Sequence, residues 1–220
     1  EVPNTRRETV PLREILEEKG DTIGKMSIPL FLGRDAAGSG LVTDLSRAPH
    51  MLIAGQTGSG KSVAINCLIM SVLMTRTPEE VQMLLIDPKG VELADFRDIP
   101  HLISPVVTDM KKAAAVLEWA CKKMDERYML LSRVSARNIS AYNNMPVEKL
   151  RSRLDPEGDA DLSDVPLRIP HTVIIVDELG ELMMVAAKDV ENSIIRLSQK
   201  SRAVGIHLVC ATQRPSVDVL

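Results

Sequence analysis

The sequence predicts an α/β domain in which a mostly parallel sheet is flanked by helices. Four short apolar runs have the length and residue types of buried strands, namely residues 51–54, 81–86, 172–176 and 206–211. Longer segments with helical spacing separate them, namely residues 63–75, 109–133 and a helix that ends near Arg202. Strands that alternate with helices are typical of an α/β fold, and 220 residues suffice for one such domain.

The composition is that of an ordinary soluble globular protein, with 45% hydrophobic and 26% charged residues. Aromatic residues make up only 2%, so the core must be largely aliphatic. Because the net charge is −3, any anionic polymer must be held by a local basic patch. The sequence shows neither an apolar run long enough to span a membrane nor a signal-peptide pattern. The three cysteines lack metal-ligand spacing, which suits buried thiols in a reducing compartment.

Residues 55–62, GQTGSGKS, fit the P-loop pattern G-x-x-x-x-G-K-[ST] at every fixed position. The flanks agree, because an apolar strand precedes the motif and a helix follows it. Glycine allows positive φ and lets backbone N–H groups close around phosphate oxygens at the positive end of the helix. The sequence therefore predicts a nucleoside triphosphate site formed by Gly55, Gln56, Thr57, Gly58, Ser59, Gly60, Lys61, Ser62 and Val63.

Two side chains of the P-loop have predicted roles of their own. Lys61 supplies a point charge for the β- and γ-phosphates. The Ser62 hydroxyl is a hard oxygen ligand of the kind that Mg²⁺ prefers.

Asp177 and Glu178 follow the third predicted strand, which is the Walker B arrangement. A carboxylate at a strand tip can orient the shell of a magnesium ion, and a second carboxylate beside it can take a proton from the attacking water. We therefore predict Asp177 on the metal side and Glu178 as the general base. Acids at strand ends are common, but the complete P-loop upstream makes this pair specific.

Gln213 stands at the tip of the fourth predicted strand. In P-loop ATPases with a catalytic glutamate, this strand usually lies between the P-loop strand and the acid strand. That order would put Gln213 between the γ-phosphate and Glu178. An amide there can sense the phosphate because it offers both a donor and an acceptor. The alternative is a polar turn residue without a catalytic role.

The remaining segments bear on domain organisation. Residues 1–25 are polar and charged and indicate a lead-in from a preceding domain, whereas residues 26–220 form the predicted ATPase domain. Residues 27–32 and 40–44 predict the two strands of a surface hairpin. Residues 143–170 show no sustained period, which predicts a long and mobile connection.

Several stretches along the chain are more specific than a generic P-loop. They are PLREIL at 11–16, PHMLIAGQTGSGKSV at 49–63, IDPKGVEL at 86–93, IPHLISPVVTDMKKAA at 99–114, RNISAYN at 137–143, VIIVDELGELMM at 173–184 and SRAVGIHLVCATQRPSVDV at 201–219. On these motifs the chain resembles the FtsK/SpoIIIE family of DNA translocases.

The resemblance implies a RecA-like motor domain that uses ATP and Mg²⁺ and acts on double-stranded DNA. It also implies a homo-hexameric ring that hydrolyses ATP at its subunit interfaces and moves along the duplex in chromosome segregation and cell division. The family's motor continues past the fourth strand, so we expect an incomplete motor that lacks the winged-helix module. We expect a cytoplasmic location, at the inner membrane if the parent protein carries a membrane domain.

Two arginines complete the predicted site. Arg202 matches the family's arginine finger, which acts from one subunit on the nucleotide of its neighbour. Its rival is Arg196 on the same helix, and the alternative is a helix-terminal cation. Arg214, beside Gln213, is predicted to face the ring channel and contact DNA phosphate, or else to pair with a local acid.

Other functions remain open at this point. A related secretion ATPase would move protein rather than DNA, and DNA-stimulated hydrolysis would separate the two. The adjacent Asp177 and Glu178 argue against a nucleotide-binding subunit that does not hydrolyse. A small-molecule kinase is disfavoured because the sequence shows no acceptor pocket or lid signature.

Overall fold

A four-stranded parallel sheet forms the centre of the computed structural model, which describes residues 9–155, 162 and 165–215. In chain order the elements are α1 (Leu12–Ile23), β1 (Pro29–Arg34), β2 (Gly40–Asp44), β3 (Met51–Ala54), α2 (Lys61–Thr75), β4 (Val81–Ile86), α3 (Met110–Arg133), α4 (Ile139–Asn143), α5 (Val147–Leu154), β5 (His171–Val176), α6 (Leu179–Lys200) and β6 (Ile206–Thr212). Short 3₁₀ turns lie at Ala94–Phe96 and Ser201–Val204. The predicted α/β class with a parallel sheet is confirmed.

The order of the sheet is β3-β6-β5-β4, so the last strand in the chain lies between the P-loop strand and the acid strand. Parallel pairing places Met51 beside Val209 and Ile174 beside Leu208. The predicted strand order is confirmed. Because the carboxyl ends of parallel strands meet at one edge, the residues after β3, β5 and β6 converge there.

Helices cover both faces of the sheet, because alternate residues of each strand point to opposite sides. On one face Val173 and Ile175 of β5 pack in a core with Ile65 and Ile69 of α2. On the other face, Ile174 and Val176 pack in a second core that includes α3 and α6.

The β1–β2 hairpin is antiparallel, as predicted, and lies against α2. The Phe31 N–H donates to Ser71 Oγ at 2.9 Å, and the Arg76 guanidinium donates to the carbonyl of Ser27 at 3.0 Å. Helix α1 packs on the hairpin through Ile15 and Ile23. The domain boundary predicted near residue 25 stays a prediction.

Part of the connection predicted to be irregular is helical. Helix α5 forms within the region predicted to be irregular, because Leu150 and Leu154 on one face of it are buried in the core. The segments 156–161 and 163–164, for which mobility was predicted, lie outside the described residues. Helix α6 begins at Leu179, directly after the acid pair, and bends at Ala186.

Strand β3 is less buried than predicted. Its residues alternate between half-buried and exposed, and Leu52 is 51% exposed. Within the described part of the chain β3 pairs on one side only, with β6, which leaves its other edge open.

The described helices include none that is both long and apolar enough to cross a bilayer. Cys121 and Cys210 are buried free thiols, as predicted, whereas Cys67 is only half-buried. Burial raises the pKa of Cys210 to about 12. Such a thiol stays protonated and unreactive at neutral pH.

Three histidines meet at the amino-terminal end of the sheet. His207 Nδ1 lies 3.0 Å from the Pro49 carbonyl oxygen, and His171 Nδ1 lies 3.1 Å from His207 Nε2. Because a carbonyl only accepts, His207 carries its proton on Nδ1 and accepts from His171 at Nε2. His50 Nδ1 accepts from the Leu208 N–H at 3.0 Å. The rings of His207 and His50 must be neutral in this arrangement, because each accepts a hydrogen bond at one ring nitrogen.

Burial lowers the pKa of His171 to about 4 and that of His207 to about 3. The charge of Arg127 lowers the pKa of His171 further, the carboxylate of Asp44 raises it, and Arg168 has the smallest, lowering effect. The folded protein therefore takes up protons at these rings less readily than the unfolded chain does.

The histidine cluster predicts acid sensitivity. The folded pKa values lie below the value of about 6.5 for an unfolded histidine, so the unfolded chain binds more protons between these limits. The stability that the neutral rings contribute is fully present above about pH 6.5, and it is lost as the pH drops toward about 4. We expect His207→Gln to reduce the slope of unfolding free energy against pH by about 1.4 kcal/mol per pH unit.

Urea unfolding measured between about pH 5 and pH 7 tests this expectation. Thr172→Val serves as the control, since it alters packing at the same end of β5 without removing a titratable group, and should keep the parental slope. The prediction would be contradicted if the unfolding free energy of the parent protein did not change across this pH range.

Candidate nucleotide-binding site

The loop between β3 and α2 has the geometry of a phosphate-binding loop. Gly58 and Gly60 have φ angles of 82° and 93°, in the left-handed region that favours glycine. A Cβ atom at Gly55 would lie 2.3 Å from Ser59 Oγ, so a side chain there would force the Ser59 hydroxyl out of its position. Gly60 caps α2 without a side-chain hydrogen bond, which leaves the first N–H groups of the helix available to an anion.

Lys61, the first residue of α2, reaches across the site to Asp177 at the end of β5. Its ammonium nitrogen lies 2.6 Å from Asp177 Oδ1 and 2.7 Å from the Asp177 carbonyl oxygen. The two side chains are only 5% and 3% exposed. Burial raises the pKa of Asp177, although the neighbouring ammonium opposes this effect. Either charge would be costly to bury alone, so each group holds the other in place.

Glu178 lies beside this pair and is also buried. Its Oε1 accepts from the Thr212 hydroxyl at 2.8 Å, and its Oε2 accepts from the Gln213 N–H at 2.9 Å. The Gly180 N–H also donates to Oε1, at 3.3 Å, because Glu178 caps the N-terminus of α6. The predicted general base is thus oriented by the end of β6.

Gln213 connects the P-loop with Glu178, as its predicted position between them requires. Its side-chain oxygen accepts from the Thr57 hydroxyl at 3.0 Å, while its backbone N–H donates to Glu178. Its role as a phosphate sensor stays a prediction.

Ser62 lies half-buried in the first turn of α2. The described residues contain no group of three histidine, cysteine, aspartate or glutamate side chains that could enclose a metal. Mg²⁺ at a phosphate site needs only one or two protein oxygens, because substrate phosphates and waters complete its shell. The hard oxygens of Ser62 and Asp177 fit that requirement.

The two predicted arginines lie at opposite ends of β6. Arg202 is exposed in the turn before β6, roughly 20 Å along the strand from the P-loop edge. Arg214 is exposed at the other end, directly after the strand. Neither guanidinium has a hydrogen bond or ion pair with a described residue, whereas Arg196 pairs with Asp125 at 2.9 Å.

Two residues of this site were missed by the sequence reasoning. Asp87 at the tip of β4 is fully buried, and its carboxylate accepts from the N–H groups of Lys89, Gly90 and Leu93. It fixes the turn after β4, and its charge helps to raise the pKa of Asp177. Thr212 donates to Glu178, and the only sequence signal for it was its place next to Gln213.

The fold and the site together define a P-loop ATPase, in which a glycine-rich loop, a buried lysine and a strand-tip acid pair share one edge of a parallel sheet. The family model of the FtsK/SpoIIIE family matches residues 11–217, which is nearly the whole chain. The chain therefore belongs to the FtsK/SpoIIIE family.

Curated relatives of this family match the full length of the chain. It is 48% identical to the DNA translocase FtsK of Haemophilus influenzae and 50% identical to the DNA translocase FtsK of Sporosarcina ureae. All of this chain is matched in both cases, but it spans only 43% and 27% of the two relatives.

Solved structures of the same fold include a conjugation coupling protein and a type VII secretion ATPase. The conjugation coupling protein TcpA of pCW3 with ATPγS has a TM-score of 0.67 at 25% identity, covering 90% of this chain and 52% of that chain. The type VII secretion ATPase EccC of Thermomonospora curvata has a TM-score of 0.67 at 24% identity, covering 86% of this chain and 22% of that chain. The second likeness supports the fold alone.

Proposed function

We propose that this chain hydrolyses ATP and uses the energy to move double-stranded DNA through a ring of six copies. The observation that carries the proposal is the buried Lys61–Asp177 pair beside Glu178, in a chain 44–50% identical to proteins named DNA translocase. In the cell this activity would serve chromosome segregation and division from the cytoplasmic side.

ATP would bind in the loop from Gly55 to Val63. The N–H groups at the start of α2 would donate to phosphate oxygens, as the left-handed glycines and the uncapped helix end allow. The Lys61 ammonium would exchange its contacts with Asp177 for the β- and γ-phosphates. That exchange keeps a counter-charge beside the buried ammonium in both arrangements.

Ser62 and Asp177 would hold Mg²⁺, which supplies positive charge to the phosphates when it is bound. Glu178 would accept the proton of the attacking water. Gln213 would report the γ-phosphate, since its side chain contacts Thr57 of the P-loop and its backbone contacts Glu178.

Protein transport is the second candidate, because the secretion ATPase EccC shares the fold. The curated relatives favour DNA, since eight of them carry the name DNA translocase at 44–50% identity. Stimulation of hydrolysis by duplex DNA distinguishes the two candidates.

A ring would bring Arg202 to the nucleotide of the neighbouring subunit. In its own chain Arg202 lies at the edge of the sheet opposite the P-loop, so only another copy could present it to the phosphates. A guanidinium spreads transition-state charge on the γ-phosphoryl group through its planar donors. The rival Arg196 already pairs with Asp125, which favours Arg202.

Substitution of Glu178 tests the hydrolysis. We expect Glu178→Gln to retain ATP binding and to lose about a hundredfold to ten-thousandfold in turnover, because the general base is removed. Steady-state hydrolysis with and without duplex DNA measures the loss. Glu181→Gln is the matched control, since that acid lies three residues later, in the first turn of α6, and is half-exposed beside Lys89. Hydrolysis by Glu178→Gln at the parental rate would reject the assignment.

Mixing two inactive variants tests the arginine finger. Arg202→Ala alone is expected to lose about a thousandfold or more in turnover. Mixed with Lys61→Ala, it should regain partial activity, because some interfaces then join an intact P-loop to an intact arginine. Arg196→Ala should behave like the parent protein. Near-parental turnover of Arg202→Ala alone would contradict the proposal.

Arg214 would contact DNA phosphate from the loop after β6. Its exposed guanidinium, without an ion pair among the described residues, favours this proposal over the structural alternative. We expect Arg214→Ala to weaken binding to all DNA sequences alike and to lower the salt slope by about one charge. Titrations at several salt concentrations measure the slope, with exposed Arg13→Ala as the control. An unchanged slope for Arg214→Ala would count against the contact.

A further inference from the structure

Thr212, the last residue of β6, connects three parts of the site. It is fully buried, and its carbonyl oxygen accepts from the Gly55 N–H at 3.1 Å. Its hydroxyl donates to Glu178 Oε1 at 2.8 Å. The same hydroxyl oxygen accepts from the Arg214 N–H at 3.1 Å. Through its carbonyl and its hydroxyl, this one residue links the P-loop, the predicted general base and the loop that carries Arg214.

The single hydroxyl proton of Thr212 points toward Glu178. The hydroxyl oxygen also lies 3.4 Å from the Arg214 carbonyl oxygen, but the 2.8 Å contact with the carboxylate is shorter and charge-assisted. The Arg214 N–H, the Thr212 hydroxyl and the Glu178 carboxylate therefore form a chain of two hydrogen bonds. Bonds in such a chain polarise one another, so loss of the Arg214 donor weakens the bond from Thr212 to Glu178.

Three donors hold the Glu178 carboxylate in this orientation. They are the Thr212 hydroxyl, the Gln213 N–H and the Gly180 N–H. A carboxylate has about four lone-pair positions, so the Thr212 hydroxyl and the Gly180 N–H fill those of Oε1, and one position is left on Oε2. The residue is also only 5% exposed. A general base must accept a hydrogen bond from the water before it can take the proton.

We infer that Thr212 is a positioning residue that holds Glu178 away from the attacking water until DNA displaces the Arg214 loop. Displacement of the loop removes the Arg214 N–H from the Thr212 oxygen, and the weakened hydroxyl bond frees Glu178 Oε1. Hydrolysis is then slow without DNA and faster with it. This inference rests on the proposed function and specifies how the same site is regulated.

We call the two hydrogen bonds from the Arg214 N–H through the Thr212 hydroxyl to Glu178 the latch. Substitution of Thr212 in the intact protein tests it. Thr212→Val keeps the side-chain shape and lacks the hydroxyl, so turnover without DNA should rise about fivefold, the effect of losing one hydrogen bond. Stimulation by duplex DNA should fall by the same factor, while KM for ATP stays unchanged because the phosphate contacts are intact. Thr212→Ser restores the hydroxyl and should restore the parental stimulation. Thr212→Ala should repeat the result of Thr212→Val.

Thr172→Val is the matched control for loss of a buried threonine hydroxyl. Thr172 is buried at the far end of β5, where its hydroxyl oxygen accepts from Arg127 at 2.9 Å. This variant should keep the parental turnover and DNA stimulation. If turnover of Thr212→Val without DNA is equal to or below that of the parent, with an unchanged Tm, the latch is rejected.

Hydrogen exchange at the Arg214 amide separates failure of the latch from failure of the proposed function. The amide donates to Thr212 Oγ1, so Thr212→Val should speed its exchange about fivefold. Duplex DNA should speed the same exchange in the parent protein. A parent without Glu178-dependent hydrolysis would overturn the proposed function, whereas unchanged exchange in Thr212→Val would overturn the latch.

Discussion

The position of β6 between β3 and β5 is the constraint on which the rest of the site depends. Parallel hydrogen bonding on both sides sets the register, so that Thr212 lies beside Ala54 and Cys210 lies beside Val176. The P-loop after β3, the acids after β5 and Gln213 after β6 consequently emerge at one edge of the sheet. Contacts of the P-loop with Asp177 and with Gln213 then join residues that are more than 100 positions apart in the chain.

The two ends of this sheet bury polar groups in opposite ways. At the carboxyl end, Lys61 and Asp177 form a buried ion pair at 2.6 Å. At the amino end, His171 and His207 are kept neutral, because burial without a carboxylate partner lowers their pKa values. The first arrangement leaves charges that a phosphate and a metal ion can take over. The second stabilises the fold only above the pH at which the rings would protonate.

Because the chain belongs to the FtsK/SpoIIIE family, the hydrogen bonds around Glu178 can be interpreted as a control on ATP hydrolysis. A base held by the end of the neighbouring strand β6 would suit the proposed motor, which must not consume ATP when DNA is absent. Thr212 and Gln213 are placed to transmit such a signal, because they touch Glu178 directly and precede Arg214 in the chain. Arg202 lies at the opposite end of the same strand and faces away from its own P-loop. The strand thus separates contact with DNA from contact with the neighbouring subunit in the proposed ring.

Local patterns in the sequence determined the elements and most of the candidate site. Met51–Ala54 and Val81–Ile86 have the bounds that their apolar runs predict, and the P-loop motif requires the left-handed glycines that the structure shows. These features depend on neighbouring residues, so short-range spacing is enough to predict them. Helix α5 was missed because its buried face carries few apolar residues within a polar segment.

Only the tertiary structure decided which side chains meet. The Lys61–Asp177 pair joins residues that are 116 positions apart, and the Thr212–Glu178 bond joins residues that are 34 apart. A threonine at a strand end has no local pattern that distinguishes a structural hydroxyl from one aimed at a catalytic base. That distinction depends on the strand order, which determines which neighbour the hydroxyl faces, and on burial, which removes water as the competing partner.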